Sequence, residues 1–223
     1  ECRGGRGPRV RNGRATARGQ REGPCGGIAG VGGGTATPGG AAGIAEVAQK
    51  DEVKELKITG GQRRAIYGVK EPDLPAVWGE LTEAGLVSGH AYAKGLRTVK
   101  TCVGLEWCRF GTQDSTSLGK QLERLTWGNG TPHKFKMGVS GCPRNCAEAS
   151  IKDFGVVCVE SGFDLLVGGN VGIELRGTDK LCHVAPAAEL LEYCAAFPPV
   201  YREEAPSPDR TAPWPGPTRA RTR

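Results

Sequence analysis

Four thiols in two close pairs constrain this chain more than any other feature. Cys102-x5-Cys108 and Cys142-x3-Cys146 are separated by 33 residues. If one centre uses all four, the fold must bring two distant loops together. A fourfold thiolate set holds either zinc or an iron–sulfur cluster. Structural zinc usually takes tighter knuckles of roughly two to four intervening residues. A cubane is wider than one ion, so the five-residue gap favours it, with zinc as the alternative. The spacing of Cys142 and Cys146 predicts both sulfurs on one helical face near a helix N-terminus, where backbone N–H groups can hydrogen-bond sulfur.

The stretch "KFKMGVSGCPRNC" leads into the second pair. Its alternation predicts a strand with Phe135, Met137 and Val139 facing inward and Lys134, Lys136 and Ser140 facing outward. Lysines on an edge strand are often simply solvated. Beside a redox centre they would suit an anionic substrate, holding it and donating protons during reduction.

The other cysteines carry less weight. Cys158 lies in an apolar strand, Cys194 in a helix and Cys182 beside His183, and each reads as a small buried hydrophobe. Cys2 and Cys25 have no evident role. An odd total of nine and the absence of a secretory pattern argue against a disulfide framework and for a reducing cytosol. No apolar run is long enough to span a membrane, so no membrane partner is expected.

Along the chain, residues 1–48 are rich in Gly, Arg, Ala and Pro, and are expected to form a disordered leader. "GVGGGTATPGG" lacks the apolar strand and terminal Lys-Ser/Thr of a phosphate loop. Residues 49–97 predict a β-β-α-β half of a ferredoxin-like unit: "VKELKITG" and "RAIYGV" as strands, "EPDLPAVWGELTEAGL" as a helix stopped by Gly85, then "GLRTVKTC". Residues 98–204 predict a second α+β domain. "DSTSLGKQLERL" is a helix with Leu118, Leu122 and Leu125 on one face and Asp114 or Ser115 as N-cap. "FGVVCVES" and "FDLLVGG" are paired strands, with "IELRG" as a possible third. "APAAELLEYCAAF" is a closing helix ended by Pro198 and Pro199. Residues 205–223 are expected to be a loose Pro/Arg-rich tail.

The net charge of +6 is uneven, with seven arginines between Arg3 and Arg21 and three more at Arg219, Arg221 and Arg223. Basic ends can bind nucleic acid, but these lack interleaved aromatics, and solvated tails are the plainer reading. Nucleic acid is not expected as a partner.

"TCVGLEWCRFGTQDST", "PHKFKMGVSGCPRNCAEA" and "IKDFGVVCV" closely resemble the catalytic portion of the large subunits of assimilatory NAD(P)H-dependent nitrite reductases, within the nitrite/sulfite reductase family. The likeness runs from about Asp51 to Trp214. It implies a 4Fe-4S cluster on Cys102, Cys108, Cys142 and Cys146, coupled to a sirohaem through Cys146, whose thiolate is also the axial ligand of the haem iron. Lys134 and Lys136 match the family's substrate-binding lysines. Arg63, with Arg64 one register away, and Arg97 match its arginines. Lys100 and Arg109 are rivals of Arg97 and, with Arg144 and Asn145, are candidate cofactor contacts.

The resemblance therefore implies six-electron reduction of nitrite to ammonia. FAD and NAD(P)H would sit on parts outside this chain, and a flavin domain or polypeptide would deliver electrons. A homodimer would supply a missing half-site by symmetry. Alternatives are sulfite as substrate, or a non-enzymatic four-cysteine iron–sulfur or zinc module.

Overall fold

The computed structural model describes residues 11–12, 15–19, 25–30, 32–88 and 94–214. Cys2, most of the N-terminal arginines and Arg219, Arg221 and Arg223 lie outside the described residues. The chain divides into two compact units, Glu1–Tyr92 and Ala93–Arg223.

The first unit carries β1 (Arg11–Asn12), β2 (Ala15–Gly19), β3 (Cys25–Gly30), α1 (Pro38–Lys50), β4 (Glu55–Ile58), β5 (Arg64–Val69), α2 (Leu74–Glu83) and β6 (Val87–Ser88). Its sheet runs β1-β2-β3-β5-β4, with β6 also on β3. All of these pairings are antiparallel. The order β3-α1-β4-β5-α2-β6 is a ferredoxin-like βαββαβ unit.

The β4–β5 hairpin and α2 fall where the sequence predicts them, and Gly85 ends α2 with a φ of 77°. The expected leader to residue 48 is different: it contains β3 and most of α1. Here a few large side chains are buried, and small residues let the elements approach closely. A Cβ on Gly43 of α1 would come 2.6 Å from Ala84 Cβ at the end of α2, and one on Gly27 would touch the Trp78 ring at 3.5 Å. Thr37 caps α1, its hydroxyl accepting from Gly40 N at 3.1 Å, and Pro38 occupies the first turn. Ile44 and Val47 are the large side chains that α1 buries. "GLRTVKTC" does not close this sheet but belongs to the second unit.

The second unit carries β7 (Lys100–Thr101), α3 (Gly104–Trp107), α4 (Ser115–Thr126), β8 (Met137–Ser140), β9 (Phe154–Val159), β10 (Gly162–Val167), β11 (Asp179–Val184) and α5 (Ala187–Glu204). The sheet order is β11-β10-β9-β8-β7. β7 pairs with β8, and β8 with β9, in parallel, while β10 is antiparallel to both of its neighbours. Phe135, Met137 and Val139 are buried as their alternation predicts. Asp114 caps α4 by accepting from Ser117 N at 3.0 Å. Leu118 and Leu122 are buried, but Leu125 is exposed.

Three expectations give way. "IELRG" contributes one bridge, Asn170 to Arg176, and β11 is the third strand of that hairpin system. Ile173 and Leu175 are exposed, so no core rewards a strand there. Helix α5 runs through Pro198 and Pro199 to Glu204, because Phe197, Pro198 and Tyr201 are buried and their packing offsets the lost backbone bonds. The expected tail is also part of the core up to residue 214. Trp214 packs on Tyr201 and Phe197 with ring centroids 5.4 and 5.7 Å away. Among the described residues no helix is long and apolar enough to cross a membrane.

Candidate functional site

Parallel pairing explains how thiols so far apart in sequence share a location. In a parallel pair both strands end at the same edge. Lys100 and Thr101 of β7 register with Gly138 and Val139 of β8, so Cys102 leaves one strand beside the end of the other, where Cys142 follows. Cys102 N donates to Val139 O at 3.4 Å. Thr112, just past the first pair, donates from its N–H (2.7 Å) and its hydroxyl (3.0 Å) to Gly141 O, just before the second. The Arg144 guanidinium lies 3.8 Å over the Phe110 ring, with Arg109 on the same ring at 4.6 Å. Each such contact contributes about 0.5–1 kcal/mol, and the Arg144 contact, with the Thr112 hydrogen bonds, ties the two thiol loops to each other.

The seven cysteines from Cys102 to Cys194 are free thiols. Of the four candidates, Cys142 is buried, Cys102 and Cys108 are half-buried, and Cys146 is exposed. Among the described residues no three His, Cys, Asp or Glu side chains are arranged to hold a single metal ion. The second pair is not helical as its spacing predicts. Asn145 and Glu148 take left-handed conformations, with φ of 57° and 58°, so the chain folds back twice across the cysteines. Asn145 suits such a position, and its side chain fixes the turn. Its Oδ1 accepts from Ser140 Oγ and Ser150 N, both at 3.3 Å, and its Nδ2 donates to Ser150 Oγ at 2.5 Å. Ser140, expected to face outward, is fully buried in this network and accepts from Ala147 N at 3.1 Å.

Glu148 is clamped by Lys100 at 2.7 Å and Lys152 at 2.8 Å. Hydrogen bonds from Lys100 and then Lys152 hold its carboxyl down at about 2. Lys100 thus spends its charge on the turn that carries Cys146.

The lysine strand lies at the centre of a cationic group. Lys134 and Lys136 precede β8, which has partners on both sides, so the edge-strand reading does not apply. Arg97 N donates to Phe135 O at 2.8 Å, setting Arg97 alongside the two lysines. Lys136 is held below the usual lysine range, first by burial, then by Arg210 and Lys134. His133 is lowered for the same reasons: burial, then Arg210 and Lys134. The group is anchored by Asp153, which is fully buried. Its carboxylate accepts from Lys136 N (2.8 Å), Arg210 Nε (3.1 Å), Arg210 Nη2 (2.6 Å) and Thr211 Oγ1 (2.6 Å). Sequence reasoning missed Arg210, Lys152, Asp153 and Glu148. "IKDF" carried the signal for two of them, while Arg210 was hidden in a stretch read as tail.

Arg63 belongs to the first unit, in the turn from β4 to β5, where its N–H donates to Thr59 Oγ1 at 3.1 Å. It follows β4, the second strand of the ferredoxin-like unit. Arg64 Nη1 reaches Gly34 O at 3.4 Å. Cys158 is fully buried behind the thiol loops, and burial, then Cys102 and Cys142, push it up to about 12. Cys194 is likewise buried and inert, whereas Cys182 is only half-buried.

Known proteins resemble both units. The nitrite/sulfite reductase ferredoxin-like half domain matches residues 18–84, and the nitrite and sulphite reductase 4Fe-4S domain matches residues 92–214. The chain is 54% identical over 171 residues to a Bacillus subtilis NAD(P)H nitrite reductase, covering 77% of this chain and 21% of that protein. It is 46% identical over 182 residues to the Escherichia coli NADH nitrite reductase large subunit, covering 82% and 21%. An assimilatory-type sulfite reductase of Nitratidesulfovibrio vulgaris is 36% identical over 162 residues, 73% of each chain. The solved NirA protein of Mycobacterium tuberculosis superposes with a TM-score of 0.71 at 20% identity, covering 80% of this chain and 34% of that one, a likeness of fold. The chain spans about a fifth of the length of the NAD(P)H nitrite reductases it matches.

Proposed function

Because the chain belongs to the nitrite and sulphite reductase family, we propose that it carries the site for six-electron reduction of nitrite to ammonia. The observation that supports this most directly is the joining of two thiol loops at the ends of parallel strands, next to a cationic group. The residues fit a 4Fe-4S cluster and sirohaem. Four thiols form a soft donor set. Gly141 leaves a cradle where a Cβ would sit 3.2 Å from Cys102 Sγ. Cys146 is the exposed member of the set, free to meet a second partner.

In this reading Cys102, Cys108, Cys142 and Cys146 would hold the cluster, and Cys146 would also hold the sirohaem. When bound, the pair would supply single electrons for reduction of an anion. Lys134, Lys136 and Arg97 bind that anion. A lysine held below its ordinary range, as Lys136 is, releases its proton more readily to a departing oxygen. Arg210 adds positive field, with Asp153 fixing its guanidinium. Lys100 holds the Glu148 turn, while Arg109, Arg144 and Asn145 shape the loops that would face the cofactor.

Electrons would come from a flavin domain or polypeptide that oxidises NAD(P)H, in a reducing cytosol. A second copy of the chain would complete the half-site, and a strictly monomeric, sirohaem-saturated species in light scattering would remove that part of the proposal.

The test is an absorption spectrum of anaerobically purified protein with iron and acid-labile sulfide analysis. Sirohaem bands and about four irons of cluster per chain are expected, and Cys146→Ser should lose both the bands and nitrite turnover. Full turnover by that variant would end the proposal. The likeness to a sulfite reductase favours sulfite as the second reading, and parallel assays with both anions decide between them.

A further inference from the structure

The sulfur of Cys102 lies in a niche built by three segments. Gly141 N donates to it at 3.1 Å, and Ser115 Oγ lies 3.3 Å away. Ser115 is fully buried at the start of α4. The niche admits no larger residue. A Cβ on Gly104, whose φ is +69°, would come 2.8 Å from Ser115 Oγ, and one on Gly141 would come 3.0 Å from it. The hydroxyl is therefore held in place from two sides.

Taking Cys102 as a cluster ligand, as proposed above, we propose that Ser115 is a positioning residue whose O–H donates to Cys102 Sγ and raises the reduction potential of the cluster. The hydroxyl has one proton and two acceptors in reach, Cys102 Sγ and Cys102 O at 3.1 Å. Thr116 Oγ1 already donates to that same carbonyl at 3.2 Å. A ligating thiolate has no proton of its own, so the serine must be the donor in the O–H···S contact. With the carbonyl served by Thr116, the serine proton is available to the sulfur. Negative charge on cluster sulfurs grows on reduction, so donors to them favour the reduced form. The two donors come from different places, Gly141 from the loop before the second thiol pair and Ser115 from the helix after the first. One sulfur thus couples the potential to the joining of both loops.

The test compares the anaerobic 223-residue chain with Ser115→Ala and Thr116→Val, by redox titration followed by electron paramagnetic resonance. Deuteron couplings of the reduced cluster in D2O provide an independent readout. Ser115→Ala should load the cluster, shift its midpoint to a more negative potential and lose one exchangeable deuteron coupling. Thr116→Val should shift the potential the same way by less, as the serine proton is drawn back to the carbonyl. An unshifted potential with unchanged couplings in Ser115→Ala would overturn the assignment. Should Ser115→Ala load no cluster, an unshifted Thr116→Val, with no exchangeable hydroxyl coupling in the parent protein, overturns it equally. A parent chain with no cluster signal overturns the function proposed above instead, and this role with it.

Discussion

In the first unit a methyl placed on Gly43 would lie 2.6 Å from the Ala84 side chain. In the second, the rings of Phe135, Phe197, Tyr201 and Trp214 fill the core at centroid separations of 5.4 to 6.0 Å. Both units bury apolar side chains, but in the first the helices meet at small residues, whereas in the second large rings interlock near a buried carboxylate. The difference teaches where each is vulnerable. Close-packed backbone fails when anything is added, whereas a core built on rings and a buried charge fails when something is removed.

The largest effect expected is at Asp153. Asp153→Ala removes the acceptor for Lys136 N, the Arg210 guanidinium and the Thr211 hydroxyl at once. It leaves Arg210, whose side chain is 11% exposed, without its counterion. Breaking such a pair costs about 3–5 kcal/mol, read as a fall in the urea midpoint. A loss no larger than that of a surface substitution would break the view that this carboxylate anchors the unit.

In the first unit the matching change adds an atom. Gly43→Ala would gain about 0.5–1 kcal/mol from helix propensity alone, but overlap with Ala84 costs about 1–3 kcal/mol. Net destabilisation is expected, with recovery in the Gly43→Ala/Ala84→Gly double variant. If Gly43→Ala is stabilising, the close approach of α1 and α2 carries no weight.

That contrast also explains what the sequence could show. Phe135, Met137 and Val139 announced their strand because large apolar residues alternate, and Phe154–Val159 and Gly162–Val167 were legible for the same reason. β3 and α1 were not, since Gly27, Gly40 and Gly43 pack by being small and so resemble a flexible segment. The thiol pairs were legible as a site, but the turn between Cys142 and Cys146 was not. Helical spacing does not reveal that Asn145 and Glu148 adopt left-handed backbone. Arg210 was lost because its partner Asp153 is distant in sequence and proline-rich surroundings suggested a tail.

Helix caps sharpen the comparison at a smaller scale, one in each unit. Thr37→Ala and Asp114→Ala each remove the side chain that accepts from the third residue of its helix, Gly40 and Ser117. Each should cost about 1 kcal/mol by denaturation at neutral pH. They should part in acid. The Asp114 carboxyl is held below its ordinary value by its hydrogen bonds to Ser117, so its contribution fades as pH falls, while that of the Thr37 hydroxyl stays constant. Equal losses at all pH values would show that Asp114 acts by shape alone.

The smallest effect is expected at Glu148, and its sign follows from its clamp. Lys100 and Lys152 hold the folded carboxyl at about 2, against an ordinary 4.5. A depressed carboxyl contributes stability above its unfolded value and loses that contribution as pH falls through the folded one. Stability should therefore decline between roughly these two values in the parent chain, and Glu148→Gln should remove that part of the decline. Because the side chain is 47% exposed, solvent screens both pairs and the neutral-pH loss should fall below that of either cap. Salt should shrink it further. A loss exceeding that of the caps and insensitive to salt would mean the left-handed turn, rather than the charges, is what Glu148 secures.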